Sequence, residues 1–137
     1  MESKELTIVI VTYKSEEKIF DCLKSIPNEF PVIIVENSDN KIFKTHIENT
    51  HKNVKCLLSG DNKGYSIANN IGLNQVKTKY ALVLNPDTIL DKDELKNFII
   101  TASQIKDFWL LGPANDQMVN LDFKINKTQE VNNLKGF

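Results

Sequence analysis

Two cysteines, Cys22 and Cys56, are all that the 137 residues provide, and no Cys-x-x-Cys spacing joins them. A reduced, cytosolic pair of packed thiols is therefore expected rather than a disulfide framework or a zinc site. Neither charge sign is in excess: 17 Lys and Arg face 18 Asp and Glu, for a formal net charge of -1. So balanced a surface has no global field to recruit nucleic acid or an acidic membrane surface, and no nucleic acid is expected as a partner. Long apolar runs are missing as well. After the mixed charges of Met1 to Glu5, the stretch Leu6 to Val11 ends at Thr12 and Lys14, too short for a signal peptide or a membrane span. Internal repeats and low-complexity tracts are absent. The first apolar run is not followed by G-x-G-x-x-G, which disfavours a dinucleotide site, and Gly60 and Gly64 lack the Gly-Lys-Ser/Thr of a Walker loop.

What remains is ordinary for a globular domain, with 41% hydrophobic and 26% charged residues. The length suits a single domain over residues 1–137 with a core of its own. Its sequence follows one grammar repeated. Leu6 to Val11, Pro31 to Val35, Val54 to Leu58 and Tyr80 to Leu84 read as strands, each leaving into a polar loop. Between them lie helical patterns: Ser15 as N-cap with Ile19, Cys22, Leu23 and Ile26 up to Pro27; a short helix at Ile42 to Ile47; and Tyr65 to Val76 with Ile67, Ala68, Ile71 and Val76 inward. Gly72 weakens the last of these by roughly 1 kcal/mol relative to Ala, which implies close packing or a bend. A capping box at Asp91 and Glu94 opens a further helix with Leu95, Phe98, Ile99 and Ala102 inward. Phe108 to Leu111 is a fifth strand candidate, Met118 to Ile125 holds a strand or hairpin, and Asn126 to Asn133 reads as loop. Strands alternating with helices predict a mostly parallel α/β sheet, with the exits after Val11, Val35, Leu58 and Leu84 gathered along one edge.

The organising stretch is Tyr80-Ala81-Leu82-Val83-Leu84-Asn85-Pro86-Asp87-Thr88. Its continuous apolar run suits a central strand covered on both faces. Pro86 cannot donate to the ladder, so Asp87 is delivered just beyond the carboxyl end, where open α/β sheets bind ligands. With no phosphate cradle of backbone amides in the sequence, a carboxylate-held Mg2+ or Mn2+ is the remaining common way to hold a nucleotide diphosphate. Asp87 is the candidate ligand, although on the local sequence alone a turn or N-cap aspartate carries equal weight.

Four segments together resemble the family-2 nucleotide-sugar glycosyltransferases of the GT-A fold, especially the rhamnosyltransferase-like members: Ile8 to Lys14, Ile34 to Ser38, Asn62 to Tyr65 with Asn69 to Gly72, and Leu84 to Thr88. The resemblance implies a Rossmann-like sheet flanked by helices and an inverting transfer of a sugar from a nucleoside-diphosphate donor to an acceptor hydroxyl. It implies that Thr12 and Tyr13 line the nucleotide pocket, that Glu36 replaces an Asp contacting the base, and that Asn62 and Gly64 border the nucleotide. Asn85-Pro86-Asp87 replaces Asp-x-Asp, leaving Asp87 as the metal carboxylate and Asn85 with a neutral oxygen. A UDP- or dTDP-linked donor, a divalent metal (Mn2+ or Mg2+), a glycan or lipid-linked acceptor and a role in cell-envelope polysaccharide follow from the same likeness, as does a cytoplasmic location, peripheral at the inner face of the membrane. The family's catalytic base lies in a later half, so it is expected beyond Phe137 and the domain is expected to be incomplete. A non-catalytic nucleotide-binding module produced by truncation is the alternative. An open sheet edge also predicts a homodimer or covering contacts.

Other polar residues have plainer roles. Asp39 and Asp61 suit turns, Asp91, Asp93 and Glu94 suit a helix start, and His46 and His51 suit the surface. Lys63 is assigned to a solvated loop or a phosphate with equal weight, and Phe108 and Trp109 to the core.

Overall fold

The computed structural model describes residues 5–105, 108 and 110–112. Four strands and four helices alternate: β1 (Leu6–Thr12), α1 (Glu16–Ser25), β2 (Val32–Glu36), α2 (Lys41–Thr50), β3 (Val54–Leu58), α3 (Tyr65–Leu73), β4 (Tyr80–Leu84) and α4 (Lys92–Gln104). All pairings are parallel and the order is β3-β2-β1-β4. Among the described residues no helix is long and apolar enough to cross a membrane.

Period-two alternation sorts the strand residues to two faces. Leu6, Ile8 and Ile10 of β1, Val32 and Ile34 of β2 and Leu84 of β4 pack against Ile19, Cys22 and Leu23 of α1, Phe43 and Ile47 of α2, and Leu95 and Ile99 of α4. On the opposite face Val11, Ile33 and Val35 meet Ala68 of α3, with Leu57, Ile71 and Val76 alongside. Every residue of β1 and β2 is buried, as expected of central parallel strands. α3 lies unusually close to the sheet. A Cβ on Gly72 would stand 2.6 Å from Val9 Cγ1 and 3.1 Å from Val35 Cγ2, so the glycine is what lets the helix seat there.

Several expectations are corrected. β4 is the outermost strand among the described residues, and its outward face is uncovered, with Ala81 exposed and Val83 41% exposed. A continuous apolar run does not distinguish a central strand from an outer one whose single covered face carries the core. Ile67 points outward, 54% exposed, and Asn69 and Gly72 take the inner positions of α3 instead. α2 is longer than the pattern of Ile42, Phe43 and Ile47 implied, because Asn40 caps it by accepting from the Phe43 amide at 2.9 Å. Ser15 stands at the start of α1 but turns its hydroxyl back to the Tyr13 carbonyl, 3.0 Å away. Asp91 caps α4 by accepting from the Asp93 and Glu94 amides. Phe108 and Leu110–Leu111 form no strand; Phe108 stacks on Tyr80 with ring centres 5.7 Å apart. Trp109 and the segments Met118 to Ile125 and Asn126 to Asn133 lie outside the described residues.

Candidate functional site

Parallel register brings the four strand exits to one edge, and a chain of hydrogen bonds stitches them together. At the centre is Glu36, the last residue of β2, only 2% exposed and paired in register with Thr12. Thr12 Oγ1 donates to Glu36 Oε2 at 2.5 Å, and Ser38 Oγ donates to Oε1 at 2.6 Å. A buried carboxylate needs such donors. Each carboxylate oxygen has the capacity to accept a further hydrogen bond. The Thr12 hydroxyl, expected to line the pocket, is thus committed to Glu36.

Asn37 ties this pair to the loop after β3. Its amide nitrogen donates to Asn62 Oδ1 at 3.0 Å, and its own Oδ1 accepts from Ser59 Oγ and from the Lys63 amide, both at 3.1 Å. The Asn37 backbone N–H reaches the Thr12 carbonyl at 2.7 Å. Asn62 Oδ1 also accepts the Gly64 N–H at 3.0 Å, which fixes the entry to α3. Gly64 has φ +81°, a conformation that L side chains rarely adopt, while a Cβ there would meet nothing within 4 Å. Backbone conformation, more than crowding, accounts for this glycine.

From α3 the network crosses to β4: Tyr65 Oη donates to Asn85 Oδ1 at 2.9 Å. Asn85, Pro86, Asp87 and Thr88 form a turn closed by the Thr88 N–H on the Asn85 carbonyl at 3.1 Å. α1 supports this turn from below, where Cys22 Sγ lies 3.8 Å from the same carbonyl and Ser25 Oγ accepts the Leu90 N–H at 2.9 Å. Burial pushes the Cys22 thiol up to about 11, and the nearby Asp87 charge adds to the rise. Asp87 itself is exposed at the apex.

Thr12, Glu36, Asn62, Gly64 and Asn85 therefore belong to one connected edge. Tyr13 and Asp87 flank it without a hydrogen bond into the network. Tyr13 is half-exposed with the Lys14 ammonium 5.4 Å from its ring centre, and Lys14 holds a left-handed φ of 51°, a strain that recurs at ligand-binding loops. Lys63 pairs with Asp61. Sequence reasoning passed over Asn37, Ser38 and Tyr65 as site residues. Asn37, Ser38 and Tyr65 stood in segments that carry the family resemblance, and that position was the available signal; none was given a role of its own.

Among the described residues no three His, Cys, Asp or Glu side chains cluster as a metal cage. Asp87 is exposed at the turn after β4, as are Asp39 and Asp61 in the exit loops after β2 and β3.

Comparison with known proteins agrees with this geometry. The model of the family described as Glycosyl transferase family 2 matches residues 7–130. The chain is 31% identical over 113 residues to the low-salt glycan biosynthesis hexosyltransferase of Haloferax volcanii, covering 80% of this chain and 36% of that protein. It is 33% identical over 105 residues to the teichoic acid poly(glycerol phosphate) polymerase of Staphylococcus epidermidis, covering 71% and 14%. The crystal structure of S. aureus TarS 1-349 shares the fold at TM-score 0.61 and 23% identity, covering 73% of this chain and 32% of that one. A mannosyltransferase from Pyrobaculum calidifontis, in complex with GDP-Man and Mn2+, does so at TM-score 0.58 and 16% identity, covering 69% and 31%. The chain thus spans about a third or less of the length of these proteins. A parallel α/β sheet of the GT-A type and a family match across most of the sequence establish that the chain belongs to glycosyl transferase family 2.

Proposed function

We propose that this chain binds a nucleoside-diphosphate sugar at the carboxyl edge of its sheet, as the donor-binding part of an inverting, metal-assisted glycosyltransferase. The observation that carries the reading is the set of hydrogen bonds along this edge: Thr12 to Glu36, the Asn37 N–H to the Thr12 carbonyl, Asn37 to Asn62, Gly64 to Asn62 and Tyr65 to Asn85. These bonds tie the four strand exits together beside a buried carboxylate.

Chemistry assigns the parts. Glu36 accepts, so it suits a ring N–H of the base, and uracil and thymine each present one at N3. Thr12 and Ser38 hold its carboxylate in place while the base docks. The sequence contains no arginine, so no bidentate guanidinium clamp is available from these residues for the diphosphate. Asp87 would hold a Mn2+ or Mg2+ ion, whose part in the chemistry is to neutralise charge on the departing diphosphate. The acceptor hydroxyl attacks the anomeric carbon and loses its proton to a carboxylate base; none of the described residues is assigned that role. The relatives' glycan and teichoic acid products support a cell-envelope glycan or lipid-linked acceptor.

Isothermal calorimetry tests the donor site. Uridine or thymidine diphosphate binds in a Mn2+-dependent way, and Asp87→Ala removes that dependence. Equal binding by the variant, with equal metal dependence, rejects the assignment of Asp87. Acceptor-dependent release of nucleoside diphosphate from donor sugars, assayed on this chain, separates a working transferase from a module that binds nucleotide alone.

A further inference from the structure

In the Asp-x-Asp reading, position 85 contributes an oxygen to the metal region. The structure directs that oxygen elsewhere. Asn85 Oδ1 accepts the Tyr65 hydroxyl at 2.9 Å, and the residue's backbone carbonyl is already engaged by the Thr88 N–H, with Cys22 Sγ 3.8 Å away. An amide whose oxygen is held on one side presents its two N–H donors on the other. Among the described residues Asn85 Nδ2 has no protein partner, and the residue is exposed at the edge beside Asp87.

We propose that Tyr65 is a positioning residue: its hydroxyl fixes the Asn85 amide so that the nitrogen, not the oxygen, faces the donor, where it gives a hydrogen bond to an oxygen of the sugar-diphosphate. This rests on the donor-site reading above and refines it. Asp87 becomes the single protein anion at the turn, and position 85 becomes a donor to an oxygen-rich ligand. The reach of Tyr65 depends on how α3 is seated. Gly72 allows that helix to lie close on Val9 and Val35, and the positive φ of Gly64 starts the helix at Tyr65 itself. Without the hydroxyl the Asn85 side chain has no hydrogen-bond partner among the described residues to hold it in this orientation.

The test is a double-mutant cycle on the full 137-residue chain, using Tyr65→Phe, Asn85→Ala and the pair. Binding of uridine, thymidine and guanosine diphosphates with Mn2+ is measured by calorimetry, beside the corresponding monophosphates. Tyr65→Phe keeps the ring and melts with the wild type, yet weakens the best-bound diphosphate about fivefold, the size of one neutral hydrogen bond. Its effect on the monophosphate is smaller. In the Asn85→Ala background Tyr65→Phe has no further effect, because the hydroxyl acts through the amide; a purely structural tyrosine would weaken both backgrounds alike. Wild-type affinity in Tyr65→Phe, or additive losses in the pair, overturns this proposal while leaving the donor site in place. Failure of the wild type to bind any of the diphosphates with Mn2+ overturns both.

Discussion

Replacing Gly72 with alanine sets two effects against each other, and the structure decides between them. On helix propensity alone the change gains roughly 1 kcal/mol. Against this, the new Cβ would lie 2.6 Å from Val9 Cγ1 and 3.1 Å from Val35 Cγ2, where carbon atoms prefer about 3.5 to 4.0 Å. Neither neighbour can retreat easily. Both valines are fully buried in adjacent central strands, and β-branched side chains are stiff at χ1. Overpacking of this kind costs about 1 to 3 kcal/mol. The net expectation is a loss of about 1 kcal/mol, read as a lower urea midpoint with an unchanged slope. Val9→Ala should cancel part of the loss in the double variant, because the two residues share one contact. Since α3 carries Tyr65 to Asn85, affinity for nucleoside diphosphate should fall with stability. A Gly72→Ala chain as stable as the wild type, or more stable, would show that α3 is not held by this contact and would refute the reasoning.

Two further outcomes follow from the core and the outer strand. Burial raises the Cys22 and Cys56 thiols from an ordinary 9.0 to about 11. The folded state therefore favours the neutral thiols; their contribution is fully present below pH 9 and is lost as pH rises through about 11. Urea midpoints measured across that window should fall less steeply in a Cys22→Ala/Cys56→Ala chain, and an unchanged slope contradicts the assignment. Val83 and Ala81 leave an apolar strip on β4, so this chain should self-associate at high concentration and Val83→Glu should weaken the association. Light scattering that shows the same strict monomer at every concentration would remove that expectation.

How far the sequence disclosed this arrangement depends on what kind of information each feature needs. The four strands were legible because β-branched runs such as Leu6 to Val11 and Pro31 to Val35 are buried on both faces and have no competing helical period. Their polar exits were legible for the same reason, which put Thr12, Glu36, Asn62 and Asn85 at one edge. Whether β4 was central or outermost was not legible, since an apolar run records burial and not neighbours. The inward turn of Asn69 and Gly72 was hidden because hydrophobic periodicity ranks Ile67 above an asparagine, whereas the sheet beneath α3 needed a residue without a side chain. Hydrogen-bond direction is the least legible of all. Asn85 in sequence is an amide with an oxygen to offer; in the structure Tyr65, twenty residues earlier, takes that oxygen.

On the proposed function, the Asn85 to Thr88 turn would hold a cation for a nucleoside diphosphate at this sheet edge. This is tested most directly by titrating Mn2+ into the isotopically labelled chain with uridine diphosphate present and mapping paramagnetic broadening of the backbone amides. The strongest broadening is expected at Asp87 and Thr88, reaching next to the edge residues around Thr12 and Glu36, and it should be lost in Asp87→Ala. Broadening centred instead on the Asp91, Asp93 and Glu94 helix start, or retained in full by Asp87→Ala, would contradict it.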